Sequence, residues 1–337
     1  MPRAMPHASC MQAVVYSRYG PPEVLRLADI DLPAPGPGDL LIRVHATTVC
    51  AGDVRFRKAD PFFLRAINGW TAPRKITVLG MEFAGTVATL GAGVTRFAPG
   101  DRVFGSTGLR FGAYAEYVCV ADGKMVEHMP AAASFEDAAA IPYGGVSALF
   151  FLRRAGVAAA QNVLVYGASG SVGVYAVQLA KRLGARVTAV CSARNAALVA
   201  SLGADTVIDY TREDFARTGS GYDVILDTVG KSGFWRSLRC LRRGGAYAYS
   251  ASPLLPAAVG PLWAAITGAG RLIGGMARAQ PGDLSYLKSL VEEGSIKAVV
   301  DRRYALEEIA EAHRYVETGR KRGAVVVTLA GPEEALP

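Results

Sequence analysis

One nine-residue run constrains this chain more than anything else in it: Val165-Tyr166-Gly167-Ala168-Ser169-Gly170-Ser171-Val172-Gly173. It joins an apolar segment, 162–166, to an amphipathic segment, 171–183, that stops at Gly184. From there strand-like and helix-like segments alternate. Strands are expected at 162–166, 186–191, 206–209, 223–227 and 246–250, with helices at 171–183, 195–202 and 233–241 among them. Residues 162–166 and 223–227 are nearly all apolar, as in strands covered by helices on both faces. Alternation of this kind builds an α/β doubly wound parallel sheet.

In that setting the glycines have a physical purpose. They permit a tight turn and close approach of backbone to a ligand, and the following helix offers its N–H groups and dipole to a diphosphate. Ala168 stands at the first glycine position of a G-x-G-x-x-G run, and Gly170 and Gly173 fill the other two. A dinucleotide is therefore expected on Ala168, Ser169, Gly170, Ser171, Val172 and Gly173, although Gly-rich turns also serve simply to pack a helix on a strand. The end of the second strand selects the cofactor. An acid there would bond a ribose 2′-hydroxyl. This chain reads Cys191-Ser192-Ala193-Arg194-Asn195 instead, where Ser192 can donate to a 2′-phosphate and Arg194 can pair with it. NADPH is the expected cofactor; the plainer reading makes Ser192 a helix cap and Arg194 a surface residue.

A chain of 337 residues, 51% hydrophobic and 20% charged, can bury more than one core. Its first third reads as short strands at 12–16, 24–27, 40–46, 83–90, 102–104 and 113–120, punctuated by Gly and Pro, which suggests a compact β-barrel. A helix is expected near Ser134, with Asp137 three residues on. Helices at 283–293 and 306–318 and a strand at 324–329 close the chain. The expected domains are 11–132 for the first part of the barrel unit, 133–272 for the nucleotide unit, and 273–330 for completion of the first.

The formal charge of +8 is scattered, and its densest cluster, Arg320-Lys321-Arg322, reads as a solvated helix end. No nucleic-acid partner is expected. Five widely spaced cysteines, an odd number, suit a reducing, cytoplasmic setting rather than a disulfide framework. The apolar stretch 251–276 is broken by Pro253, Pro256, Pro261 and Arg271, so a loop and buried strand are expected there, not a membrane span. Residues 1–10 lack a signal-peptide core and read as a dispensable lead.

The stretch Gly80-Met81-Glu82-Phe83-Ala84-Gly85-Thr86-Val87, continued by Gly91, Gly93-Val94, Phe97 and Gly100-Asp101-Arg102-Val103-Phe104-Gly105, resembles the medium-chain dehydrogenase/reductase superfamily in its zinc-free quinone oxidoreductase-like branch. Leu202-Gly203-Ala204-Asp205, Asp209-Tyr210, Asp227-Thr228-Val229-Gly230 and Gly244-Gly245 match as well, so the resemblance runs from about residue 11 to 329. It implies a GroES-like β-barrel domain and a Rossmann domain with the cofactor in the cleft, and a homodimer. It also implies that Tyr210 joins Ser192 and Arg194 around the adenosine ribose. Thr228, Val229, Ser250 and Ala251 would then pass the ribose and nicotinamide, and Ser147 would lie near the nicotinamide end.

Zinc-dependent members of that superfamily use a Cys, a His before the Glu of a Gly-His-Glu run, and a later Cys or Asp. Cys50-Ala51-Gly52-Asp53 resembles the first of these, but Met81 stands at the His position and 142–145 holds no Cys, so no metal is expected. Without a Lewis acid, reducing a quinone or an α,β-unsaturated carbonyl is easier than oxidising an alcohol, because the charge that arrives with hydride spreads into the acceptor's own carbonyl. A small hydrophobic carbonyl or quinone is the expected substrate. The apolar loop 60–70 is read as a lid for it, and 251–270 as the opposite wall or a subunit contact. Asp53, Tyr143 and Cys50 are the catalytic candidates, and each has a plain alternative as helix cap, core tyrosine or packed thiol. Two other readings stay open: a zinc-free alcohol or aldehyde dehydrogenase-like enzyme, and a non-catalytic NADPH-binding sensor.

Overall fold

The computed structural model describes residues 10–123, 125–250 and 270–329. The chain divides into two units, residues 1–142 with 300–337, and residues 143–299. These limits differ from the expected ones at both ends of the nucleotide unit. Helix α3 (Phe135–Ala139) stays with the first unit because it packs on strands β3 (Asp39–Thr48) and β4 (Glu82–Leu90). Residues 273–299 stay with the second. There Asp283, at the start of helix α9 (Asp283–Glu292), pairs with Arg153, and Lys297 N–H donates to Gln178 Oε1 at 2.8 Å.

In the first unit, β3 is the spine of a sheet that runs in order from β14 (Val300–Ala305) through β15 (Ala324–Thr328), β3, β4 and β5 (Arg102–Ser106) to β7 (Val126–His128), and β6 (Tyr117–Ala121) pairs with β3 as well. Leu40, Ile42 and Val44 alternate along β3 onto a core that includes Phe83, Val87, Val103 and Val118. A separate antiparallel ribbon joins β1 (Cys10–Val15) to β2 (Arg26–Asp31). The expected strand at 24–27 begins late because Pro22 opens a 3₁₀ turn over Pro22–Val24. The one expected at 113–120 is shorter, β6 (Tyr117–Ala121), because the N–H groups of Gly112 and Tyr114 both go to the Leu79 carbonyl instead of a neighbouring strand. Strand β14 (Val300–Ala305), which the sequence reading did not contain, runs parallel to β15 (Ala324–Thr328).

The second unit is a six-stranded parallel sheet in the order β10-β9-β8-β11-β12-β13. Strands β8 (Asn162–Tyr166), β9 (Arg186–Cys191) and β10 (Thr206–Asp209) run one way across the sheet, and β11 (Tyr222–Asp227), β12 (Leu241–Tyr249) and β13 (Arg271–Gly274) the other. The order therefore reverses between β8 and β11, and beyond the carboxyl ends of those two strands lies the crevice that doubly wound sheets use for ligands. The expected α/β fold is observed. Ser134 caps α3, its hydroxyl accepting from Asp137 N–H at 3.1 Å, and Pro142 then opens a second helix, α4 (Pro142–Ala155). Among the described residues, no helix is long and apolar enough to cross a membrane. Residues 1–9 and 251–269, with the lead and the apolar wall expected on them, lie outside the described residues.

Candidate functional site

The glycine turn sits at the carboxyl end of β8, and helix α5 (Ser171–Arg182) starts from it with Gly170 as its cap residue. Its shape is held by backbone. The N–H groups of Gly167 and Ala168 both donate to Val190 O, at 3.0 and 3.1 Å, and Gly170 N–H donates to Gly167 O at 3.0 Å. Gly173 is close-packed on the same turn: a Cβ there would lie 2.2 Å from Gly167 O and 2.7 Å from the Ala168 carbonyl carbon. The cradle thus exists only with glycine at 173, and it presents the positive end of α5 to an anion. That is a fit for a dinucleotide diphosphate. Ala168 is fully buried and its N–H is already used, so its part is packing.

The other expected cofactor positions of this unit gather around the turn. Thr228 follows β11; its Oγ1 donates to Tyr166 O at 2.9 Å and its N–H to the same oxygen at 3.0 Å. Val229, next to it, is exposed. Ser250 N–H donates to Asp227 O at 3.0 Å and its hydroxyl to Thr228 O at 3.1 Å, while Ala251 lies outside the described residues. Ser192 and Arg194 follow β9, with Arg194 exposed, and Tyr210 N–H ties the end of β10 to Cys191 O at 3.1 Å. In α4, Gly144 abuts the start of α5, where a Cβ would lie 2.3 Å from Ser171 O. Half-buried Tyr143 and buried Ser147 therefore belong to the same end of the sheet.

Two residues of this region carry weight that the sequence reading did not assign. Asp227 is buried, and its carboxylate accepts from the N–H groups of Val229, Gly230 and Ser232 at 3.0, 2.7 and 2.9 Å, fixing the turn after β11. An acid ending an apolar strand was the available signal. The second is Asn195, whose amide reaches Ser169 across the sheet edge. Only the fold brings those two positions together.

Cys50 and Asp53 belong to the first unit, at the start of helix α1 (Ala51–Lys58). Asp53 is buried, and its two oxygens accept from Cys50 N–H at 2.8 Å and Gly80 N–H at 2.9 Å. Burial pushes its carboxyl pKa up, and the donors Cys50, Gly80 and the Tyr114 hydroxyl oppose that. The geometry is that of a helix cap and loop clamp. Behind it runs a buried chain. Arg57 Nε donates to His313 Nδ1 at 3.3 Å, so Nε2 carries the proton and donates to the Tyr114 oxygen at 3.2 Å, and Tyr114 in turn donates to Asp53. Arg57 also donates to Gly20 O at 2.7 Å and pairs with Glu317.

The Cys50 thiol is buried 3.7 Å from Met81 Sδ. Burial, then the charges of Asp53 and Glu82, hold its pKa well above the ordinary thiol range, so it is a protonated packing group and not a nucleophile. In the native protein, iodoacetamide near about pH 8 should alkylate exposed Cys10 and leave Cys50 untouched until unfolding, as peptide mass spectrometry would read. Rapid native labelling of Cys50 would refute the assignment. Glu82 is buried and accepts from the Thr48 hydroxyl. Among the described residues, no three His, Cys, Asp or Glu side chains gather as a metal site. Lys321 departs from the expected solvated cluster. Arg320 and Arg322 are exposed, but Lys321 turns inward to donate to Gly323 O at 3.0 Å, just before β15 aligns beside Val49. The loop 60–70 carries helix α2 (Leu64–Asn68), whose Leu64 and Asn68 are buried, while Phe62 and Trp70 are each 62% exposed.

Residues 36–131 match the family model of the alcohol dehydrogenase GroES-like domain, and residues 202–327 that of the zinc-binding dehydrogenase. The mitochondrial NAD(P)H oxidoreductase RTN4IP1 of Mus musculus is 32% identical over 361 residues, covering 96% of this chain and 90% of that protein. The 2-methylene-furan-3-one reductase of Solanum lycopersicum is 30% identical over 329 residues, covering 94% and 79%. Among solved structures, the quinone oxidoreductase from Coxiella burnetii has a TM-score of 0.87 to this chain at 31% identity, covering 95% of this chain and 100% of that one. Both units, one a GroES-like sheet and the other a doubly wound nucleotide sheet, are those of a medium-chain dehydrogenase/reductase, and the chain belongs to that superfamily. Within it, the chain is an oxidoreductase of the quinone oxidoreductase-like branch.

Proposed function

We propose that this oxidoreductase reduces a quinone or an α,β-unsaturated carbonyl with NADPH and without a metal. One observation carries the cofactor reading: the close-packed turn 167–173 lies at the sheet's switch point, and the end of the next strand offers Ser192 and Arg194 and no acid. When bound, the nicotinamide group supplies hydride. The residues proposed to hold the coenzyme are the turn and the α5 N-terminus for the diphosphate, and Ser192, Arg194 and Tyr210 for the adenosine end. Thr228, Val229, Ser250 and Ser147 would hold the nicotinamide end. The names of the mouse, tomato and Coxiella relatives support this class of donor and acceptor.

Metal independence rests on the donor set. Met81 faces Cys50 where the histidine ligand would have to stand, and Glu82 is engaged by Thr48. Charge developing on the acceptor oxygen then needs a hydrogen-bond donor, for which Tyr143 is the candidate; its hydroxyl proton would move toward that oxygen. Asp53, with its carboxylate already bonded to Cys50, Gly80 and Tyr114, is proposed to position α1 and not to exchange protons. The exposed rings of loop 60–70 are proposed to contact the acceptor's apolar body. The protein is further proposed to act as a homodimer in the cytoplasm, where its five free thiols stay reduced.

The test is to follow loss of NADPH and NADH absorbance against a panel of quinones and enones. Faster NADPH loss with one acceptor class is the expected result. Equal use of NADH would sink the Ser192–Arg194 reading, and binding without turnover by any acceptor would sink the reductase reading. Arg194→Ala should weaken NADPH binding by about 10- to 100-fold and leave NADH within about twofold, since a charge-assisted bond of about 1.5–3 kcal/mol is lost only with the phosphorylated ribose. Calorimetric titration would measure both affinities.

A further inference from the structure

The glycine turn carries two serine hydroxyls at the helix start, those of Ser169 and Ser171, and a neighbouring strand end determines what the first of them can do. Asn195 Nδ2 donates to Ser169 Oγ at 2.8 Å, and both residues are buried. A hydroxyl oxygen that accepts one bond keeps its own proton for a further acceptor. Asn195 is itself anchored: its N–H donates to Ser192 O at 2.8 Å, within the turn that carries Arg194. Its other amide group, Oδ1, is shut off from solvent and has no partner among the described residues. A buried carbonyl left unpaired lowers stability, so satisfying the amide's own groups does not explain its presence. The bond to Ser169 does.

We infer that Asn195 is a positioning residue for phosphate recognition: by donating to Ser169 it commits the Ser169 O–H to a phosphate oxygen of the dinucleotide, and it joins the turn after β9 to the turn after β8. The inference rests on the proposal that the 167–173 turn receives the cofactor phosphates. Asn195 does not touch the ligand. It acts through the orientation of one proton.

A double-mutant cycle on the full-length protein separates this role from mere packing. NADPH affinity is read by calorimetry for wild type, Asn195→Ala, Ser169→Ala and the double variant, with ligand-free melting temperatures alongside. Each single variant should bind about tenfold more weakly, the size of one lost neutral-to-charged hydrogen bond, and the double variant no more weakly than either single one. Asn195→Ala should melt close to wild type, because the unpaired carbonyl leaves together with the donor. Asn195→Asp, which can only accept, should draw the Ser169 proton inward and weaken binding further than alanine does, and Ser169→Ala should remove most of that extra loss. Losses that multiply to about a hundredfold in the double variant, or wild-type affinity in Asn195→Ala, would overturn the inference. Failure of wild type itself to bind NADPH would overturn the cofactor proposal beneath it. Should Asn195→Ala not fold, Asn195→Ser, which is smaller but keeps a hydroxyl donor, should retain part of the affinity, and tenfold loss from Ser169→Ala must still appear.

Discussion

Gly173→Ala should remove dinucleotide binding almost completely, by about 100-fold or more in Kd, which is about 3 kcal/mol. The argument is steric and concerns backbone on both sides. The added methyl would stand 2.2 Å from Gly167 O and 2.7 Å from both the carbonyl carbon and the Cα of Ala168. Neither neighbour can retreat. Gly167 and Ala168 are tied to Val190 O by their N–H groups, and Gly167 is hemmed from the other side by Thr228 Oγ1 and Val229, which a Cβ at 167 would meet at 2.7 and 2.8 Å. Relief therefore requires α5 to lift away from β8, and the helix start is the proposed diphosphate seat. Overpacking of this kind also lowers stability, by about 1–3 kcal/mol, so urea unfolding should register a smaller midpoint concentration while the fold survives. Titration with NADPH checks the larger effect. Affinity within a few-fold of wild type in a folded Gly173→Ala protein would mean that the seat lies elsewhere.

The second unit was readable from sequence because its signals are local. Strand β8 falls at 162–166, where the apolar run puts it, since a strand covered on both faces must be apolar, and β9 and β10 fall at 186–191 and 206–209, where the alternation of strand and helix puts them. The glycine turn was legible for the same reason: its spacing is contiguous. The first unit was less so. Pro22 opened a 3₁₀ turn that delays an expected strand to Arg26, and residues 112–114 bonded back to Leu79, a partner more than thirty positions away that no alternation pattern reveals. Site chemistry followed the same division. Asp53 as a helix cap was within reach, being three residues from Cys50. Its link through Tyr114 and His313 to Arg57 was not, because those side chains come from distant parts of the chain and meet only in the fold. Lys321 misled for a related reason, since a basic triplet reads as solvated until one member is seen to turn inward.

That buried chain has a consequence for stability that is large enough to measure. His313 is fully buried and accepts at Nδ1 from the Arg57 guanidinium, so a second proton would displace that bond and face a cation in a site without solvent. Burial first, and the Arg57 charge second, hold its pKa down to about 3. A free imidazole titrates near about 6.5. Between those values the unfolded chain binds one proton more than the folded one. This contribution to stability is therefore complete above about pH 6.5 and is lost as pH falls, at up to about 1.4 kcal/mol per unit. At about pH 4.5 the loss should reach about 2–3 kcal/mol. Other carboxylates lose stabilisation in the same range, Asp101, Asp205 and Asp214 among them, so a single acid curve does not isolate the histidine. His313→Gln does. Its amide oxygen can accept from Arg57 and its NH₂ can donate to Tyr114, yet it cannot take up a proton. Urea unfolding at about pH 7 and about pH 4.5 should show wild type losing about 2–3 kcal/mol more than His313→Gln, with the two proteins nearest in stability at the acid end. His313→Leu, which leaves Arg57 Nε and the Tyr114 hydroxyl facing an apolar group, should instead be weaker than the glutamine variant by about 2–4 kcal/mol at both pH values. Equal acid losses in wild type and His313→Gln would mean that the imidazole takes up its proton as readily in the folded chain as in the unfolded one, and the Arg57 Nε–H to Nδ1 bond, which an imidazolium cannot accept, would have to be given up.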